Sequence, residues 1–184
     1  MLDILSIRKQ FPALSDDRKD NSIYLDSAAT TQKPNCVIDT IQHYYQQQNA
    51  NVHRGSHSLT AKATSQFESA RETVQRYISA SSSKEIIWTR GATESINLIA
   101  QTYARGMLKP NDEILVSEME HHANIVPWQI VAEQTGAKVI KIPVLSDCTL
   151  DMDEFSERLS KRCKIVAIAH ISNVTATRNP IEKI

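Results

Sequence analysis

Glycine is scarce in this chain, with four residues in 184. Neither G-x-G-x-x-G nor a P-loop occurs, so nucleotide chemistry built on a Gly-rich turn is excluded. The cysteines Cys36, Cys148 and Cys163 are odd in number and form no C-x-x-C pair. That argues against a disulfide framework or a structural zinc and for a reducing, cytoplasmic setting. Each reads as a core or neutral thiol rather than a nucleophile. Charge of either sign is not in excess, because 21 Lys and Arg balance 21 Asp and Glu. The basic footprint expected of a nucleic-acid or anionic-membrane binder is absent. No apolar run approaches the ~20 residues of a membrane-spanning helix. The opening MLDILSIRKQFPAL lacks the basic-then-apolar order of an export signal. Its Leu2, Leu5, Phe11 and Leu14 read as a short docking helix.

The most informative stretch is Ile86–Ala100, IIWTRGATESINLIA. Ile86-Ile87-Trp88-Thr89 reads as a buried strand. Arg90-Gly91 break it, and Ala92-Thr93-Glu94-Ser95 open a helix with Ile96, Ile99, Ala100 and Tyr103 at helical spacing. A strand feeding a helix through such a turn leaves backbone N–H groups at the positive end of the helix dipole, which suits an anion, best a phosphate. Taken alone the same residues also describe an ordinary helix start with Thr93 or Ser95 as cap.

Along the rest of the chain, Ser15–Asn21 is a charged loop and Ile23-Tyr24-Leu25 a short strand leading into Asp26-Ser27-Ala28-Ala29. Pro34 starts a helix bearing Val37, Ile38, Ile41, Tyr44 and Tyr45. His53 and His57 are four apart in a loop, but Gly55 between them argues against a helical metal pair, and no metal site is expected. Leu59 to Ile78 marks a long amphipathic helix. Glu113–Ser117, Lys138–Ile142 and Ile165–His170 read as strands, with helices between them closed by Gly136 and opened by Asp151. A final helix is expected from Pro180. Strands alternating with helices argue for right-handed βαβ crossovers and a mainly parallel sheet covered on both faces. Ligands sit at the carboxyl ends of such strands. Ser27-Ala28-Ala29, the 90–95 turn, Glu120-His121-His122 and Ser172-Asn173 all fall there, and their convergence favours a phosphate-bearing aromatic cofactor.

These segments resemble the cysteine desulfurases of the SufS/CsdA type, in the class V aminotransferase group of fold type I pyridoxal-phosphate enzymes. The strings that carry the resemblance are YLDSAATTQKP (Tyr24–Pro34), NVHRGSH (Asn51–His57), TRGATESINLIA (Thr89–Ala100), MEHHANIVPWQ (Met119–Gln129), TGAKV (Thr135–Val139) and HISNV (His170–Val174). They keep order and spacing along the whole chain. The resemblance implies an α/β fold, the incomplete large domain of a fold type I pyridoxal-phosphate transferase, with a mainly parallel sheet flanked by helices. Residues 1–21 would be an N-terminal helix and loop packing toward the small domain, and 22–184 the N-terminal part of the cofactor-binding large domain, truncated at its C-terminal end.

The resemblance also implies roles. Ala92 and Thr93 would hold the phosphate of pyridoxal 5'-phosphate. His121 would stack on its ring and serve as acid or base. Asn173 would contact the ring oxygen or the substrate carboxylate, and Ala28 and Ala29 would offer backbone to the substrate. His53 and Arg54 would lie near a dimer interface. The implied reaction takes L-cysteine to L-alanine and leaves an enzyme persulfide, for iron–sulfur cluster assembly. The family implies a homodimer and a sulfur-acceptor protein of the SufE type, with no nucleic acid and no membrane. Two departures stand out. Where the family usually carries a glycine after Ser-Asn-Val, this chain has Thr175-Ala176-Thr177-Arg178. The family's cofactor-bonding lysine, nucleophilic cysteine and carboxylate-binding arginine have no counterpart in these 184 residues, so the chain alone is expected to be inactive. The other reading is a noncatalytic remnant, or a module for phosphate or pyridoxal-phosphate binding and dimerisation.

Overall fold

A computed structural model describes residues 2–14 and 23–184. The charged Ser15–Asn21 loop of the sequence reading lies outside the described residues. The chain divides into two compact units, Met1–Ile87 and Trp88–Ile184.

The first unit is helical. α1 (Ile4–Lys9) opens on Asp3, whose carboxylate accepts the Ser6 N–H at 3.1 Å. α2 (Asn35–His43) follows Pro34 and runs into a π-turn at Tyr44–Gln48. α3 (Ser58–Tyr77) starts on His57, whose Nδ1 accepts the Thr60 N–H at 3.4 Å. The strand expected at Ile23-Tyr24-Leu25 does not form. Ile23 and Leu25 are more than four-fifths exposed, and β-rich residues make a strand only where a partner edge and a buried face exist.

The second unit holds the sheet. α4 (Ala92–Ile99), a π-turn at Ala100–Ala104 and the short α5 (Arg105–Met107) make one helical run. β1 (Glu113–Ser117), α6 (Val126–Thr135), β2 (Lys138–Ile142), α7 (Met152–Arg158) and β3 (Cys163–Ala167) then alternate. The three strands are parallel in the order β2-β1-β3. All five residues of β1 are buried, as a central strand covered on both faces requires. Side chains alternate across the sheet. Ile114 and Val116 pack with Ala100, Ala104, Trp128 and Val131, while Leu115 packs with Ile142, Leu150 and Phe155. The α4–α6 side and the α7 side therefore cover opposite faces. α6 ends on Gly136 in the left-handed conformation, φ 75°, and a Cβ there would also approach Pro110 to 3.3 Å. The Asp151 carboxylate caps α7 through the Glu154 N–H at 3.0 Å.

Three expectations change. Ile86–Thr89 joins no ladder among the described residues, with Ile87 67% exposed. β3 stops at Ala167 instead of His170, because beyond it the N–H and the carbonyl of Ala169 bond to the side chains of Glu120 and Asn179 rather than to a strand. The segment from Pro180 is a single 3-10 turn, Ile181–Lys183.

Candidate functional site

The start of α4 is held from behind. Ser95 Oγ donates to the Gly91 carbonyl at 3.2 Å and lies 2.7 Å from Thr89 Oγ1. The Glu94 carboxylate accepts the Arg90 N–H at 2.6 Å. The hydroxyl of Ser95 therefore ties the turn together and does not cap the helix, contrary to one reading of the sequence. Gly91 is the N-cap, with no side-chain cap bond. Its φ of 154° and ψ of 178° belong to a region that essentially only glycine adopts, and nothing lies within 4 Å of where its Cβ would stand. Gly91 to Glu94 are exposed, so the start of α4, the positive end of the helix, is open to solvent. Thr93 is exposed there, and its carbonyl is taken by the Asn97 amide at 2.8 Å. Uncapped donors, an exposed threonine and a glycine cradle suit a phosphate group.

α4 packs against the turn His122–Asn124 that follows β1. His121 precedes that turn, and its Nδ1 accepts the Ala123 N–H at 3.1 Å. A ring nitrogen that accepts carries no proton, so the neutral imidazole keeps its proton on Nε2. The His121 ring is exposed, with the His122 ring edge-on at 6.2 Å.

Behind His121, Glu120 is buried. Its Oε1 accepts from Ser117 Oγ at 2.5 Å and from the Ala169 N–H at 2.8 Å, and its Oε2 accepts from Asn124 Nδ2 at 2.8 Å. Asn124 Oδ1 in turn accepts the Trp128 indole N–H at 2.9 Å.

Asn173 is exposed on a small hairpin closed by an antiparallel bridge, Ile171 to Arg178. Ser172 Oγ accepts the Val174 and Thr175 N–H groups at 3.3 and 3.2 Å, shaping the tip. Ala176 stands at φ 58°, the left-handed region that favours glycine.

Ala92, Thr93, His121 and Asn173 all belong to the second unit. Ala28 and Ala29 belong to the first, in an exposed turn where the Asp26 carbonyl accepts the Ala29 and Thr30 N–H groups at 3.2 and 3.1 Å. His53, also in the first unit, pairs with Glu68 at 3.0 Å. Burial pushes the Cys163 thiol above its ordinary pKa, which keeps it protonated and unreactive at neutral pH. Cys36 is exposed. A buried polar residue that local sequence pattern does not mark is Asn179, 1% exposed. Its only local signal is the Asn-Pro pair that precedes the last turn.

Residues 23–184 match the family described as Aminotransferase class-V. A "Probable cysteine desulfurase" of Vibrio cholerae is 68% identical over the whole chain, which covers 46% of that protein. The "Cysteine desulfurase CsdA" of Escherichia coli is 48% identical over 91% of this chain and 41% of its own length. Among solved structures, that of CsdA from Escherichia coli superposes with a TM-score of 0.82 at 44% identity, over 98% of this chain and 44% of that one. The apo structure of a cysteine desulfurase from Thermococcus onnurineus gives 0.89 at 32% identity, over 100% of this chain and 44% of that one. The chain spans less than half the length of these relatives.

Proposed function

This chain belongs to the class-V aminotransferase family, and from that premise we propose that it is the N-terminal portion of a pyridoxal-phosphate-dependent cysteine desulfurase. The parent reaction takes L-cysteine to L-alanine and leaves the sulfur as a persulfide, in the cytoplasm, for iron–sulfur cluster assembly through an acceptor of the SufE type, with a homodimer as the working form. Pyridoxal phosphate supplies an electron sink for such chemistry when bound. The rest falls to side chains and backbone. Ala92 and Thr93 bind the phosphate through N–H groups and the Thr93 hydroxyl. His121 offers a flat ring to the cofactor and an Nε2 proton to the substrate side, as a general acid or base would. Asn173 orients the substrate carboxylate or the ring oxygen, and Ala28 and Ala29 give backbone to the substrate.

The uncapped α4 start, packed against the turn that carries His121, supports this reading most directly. It is tested by titrating the 184-residue chain with pyridoxal 5'-phosphate and with pyridoxal, read by circular dichroism of the bound chromophore. Thr93→Val should weaken the phosphate ester by roughly tenfold or more, as expected for a hydrogen bond to a charged group, and leave pyridoxal unaffected. Equal binding of the two compounds would overturn the assignment. The chain by itself should release no alanine from cysteine, because the family's cofactor-bonding lysine and persulfide cysteine lie in segments without counterparts here. Alanine release would contradict that.

A further inference from the structure

The backbone of Ala169 is held at both its N–H and its carbonyl just beyond the end of β3. Its N–H donates to the Glu120 carboxylate at 2.8 Å, and its carbonyl accepts from Asn179 Nδ2 at 2.7 Å. Neither side chain belongs to β3. Glu120 comes from the turn after β1 and directly precedes His121. Asn179 comes from the far side of the hairpin that carries Asn173, and its own N–H closes that hairpin on the His170 carbonyl at 2.8 Å. Asn179 Nδ2 also lies 3.2 Å from Met119 Sδ, so it reaches back to the residue before Glu120. Two loops that each bear a candidate ligand-facing side chain are thus fastened to one residue, Ala169, where the regular ladder has already stopped.

Asn179 is an expensive choice for this place. It is 1% exposed, and among the described residues its Oδ1 is buried with no hydrogen-bond partner. An unpaired buried oxygen opposes folding. The donated bonds to Ala169 and Met119 are what Asn179 adds.

We propose that Glu120 and Asn179 are positioning residues that fasten the His121 turn and the Asn173 hairpin into one rigid site, holding the His121 ring in its Nε2–H form. Their purpose rests on the cofactor reading above, whereas the clamp itself is a property of the chain without any ligand. Glu120 acts on the ring by fixing the turn, since it holds Asn124 as well as Ala169, and that turn supplies the Ala123 N–H to His121 Nδ1. Asn179 acts from 58 residues further along the sequence, and its bonds go to Ala169, His170 and Met119 rather than to His121.

The test is nitrogen-15 NMR of the histidine rings of the ligand-free chain, at a pH where imidazole is neutral, with backbone amide exchange in β1 recorded beside it. The native chain should show His121 with two widely separated ring nitrogens, the mark of a single tautomer. Asn179→Ala should keep β1 protected but collapse that separation toward the tautomer average and broaden the Asn173 amide. Glu120→Gln, which keeps an acceptor for Ala169, should collapse it less than Glu120→Ala. An unchanged His121 signature in Asn179→Ala would overturn the proposal. So would loss of β1 protection in that variant, which would make Asn179 a plain fold residue, or an averaged tautomer in the native chain. Adding pyridoxal 5'-phosphate to the native chain separates the two ideas: a clamp that responds to these substitutions while His121 ignores the cofactor would leave the clamp standing and remove the cofactor reading.

Discussion

In Met1–Ile87 the long helix α3 buries only Thr60 and Ala63 of its twenty residues, whereas in Trp88–Ile184 every residue of β1 is buried. The first unit is helix by local rules: Asp3 and His57 cap its helices, and large apolar side chains such as Ile41, Leu59 and Tyr77 remain exposed. The second unit is held by packing on both faces of a parallel sheet. Its candidate site inherits that rigidity, because His121 follows β1 and the Asn173 hairpin follows β3. A polar ligand site can be exact only where the elements beneath it cannot shift, and for Ala92, Thr93, His121 and Asn173 those elements belong to the second unit.

The largest expected effect sharpens that contrast. Ile114→Ala, at a fully buried position in the centre of the sheet, should destabilise the second unit by about 2–5 kcal/mol. Leu59→Ala, 42% exposed on α3, should cost under about 1 kcal/mol, with both read by denaturant midpoints and amide exchange. Similar losses at the two positions would break the comparison. Next comes the turn before α4. Gly91→Ala forces a side chain into a glycine-only conformation and should cost about 1–3 kcal/mol locally, seen as faster exchange of the first α4 amides while β1 stays protected. A smaller gain is expected on the hairpin. Ala176→Gly relieves a left-handed alanine and should stabilise the second unit by about 0.5–1 kcal/mol, whereas a loss would mean that the hairpin is shaped by something other than that backbone.

The smallest effect concerns acid. The Ser160 hydroxyl, with the Arg162 guanidinium at 3.0 Å, holds the Glu113 carboxyl below its ordinary pKa. A carboxyl whose folded pKa is depressed binds its proton more readily when unfolded. Its stabilisation is therefore complete above the ordinary carboxylate range and is lost as pH falls through the folded value. Denaturant midpoints of the second unit should decline over that acid range, and Glu113→Gln should flatten the decline. An acid limb unchanged by the substitution would assign it elsewhere.

Much of the second unit was legible in the sequence for a physical reason. β1 and β2 carry their apolar runs between clear breakers, Gly136 stops α6 in a conformation few other residues take, and Asp151 caps α7 by its own carboxylate. Two of the failures share one cause. Ile23–Leu25 and Ile86–Thr89 have strand-like composition, but composition cannot supply the neighbouring strand that a ladder needs. The phosphate-suited turn was visible as a break at Arg90-Gly91, though not the inward turn of Ser95 that leaves the N–H groups uncapped. Asn179 was the least legible, because its bonds run to Ala169 and Met119, 10 and 60 residues away, and nothing in its local pattern marks it as buried.

The most direct measurement is a proton–nitrogen correlation spectrum of the 184-residue chain as pyridoxal 5'-phosphate is added. The Ala92 and Thr93 amides and the His121 ring should shift together, along one binding curve, and pyridoxal without its phosphate should leave the Ala92 and Thr93 amides in place. Shifts confined to other segments, or amides of Ala92 and Thr93 that do not respond while His121 does, would contradict the cofactor reading.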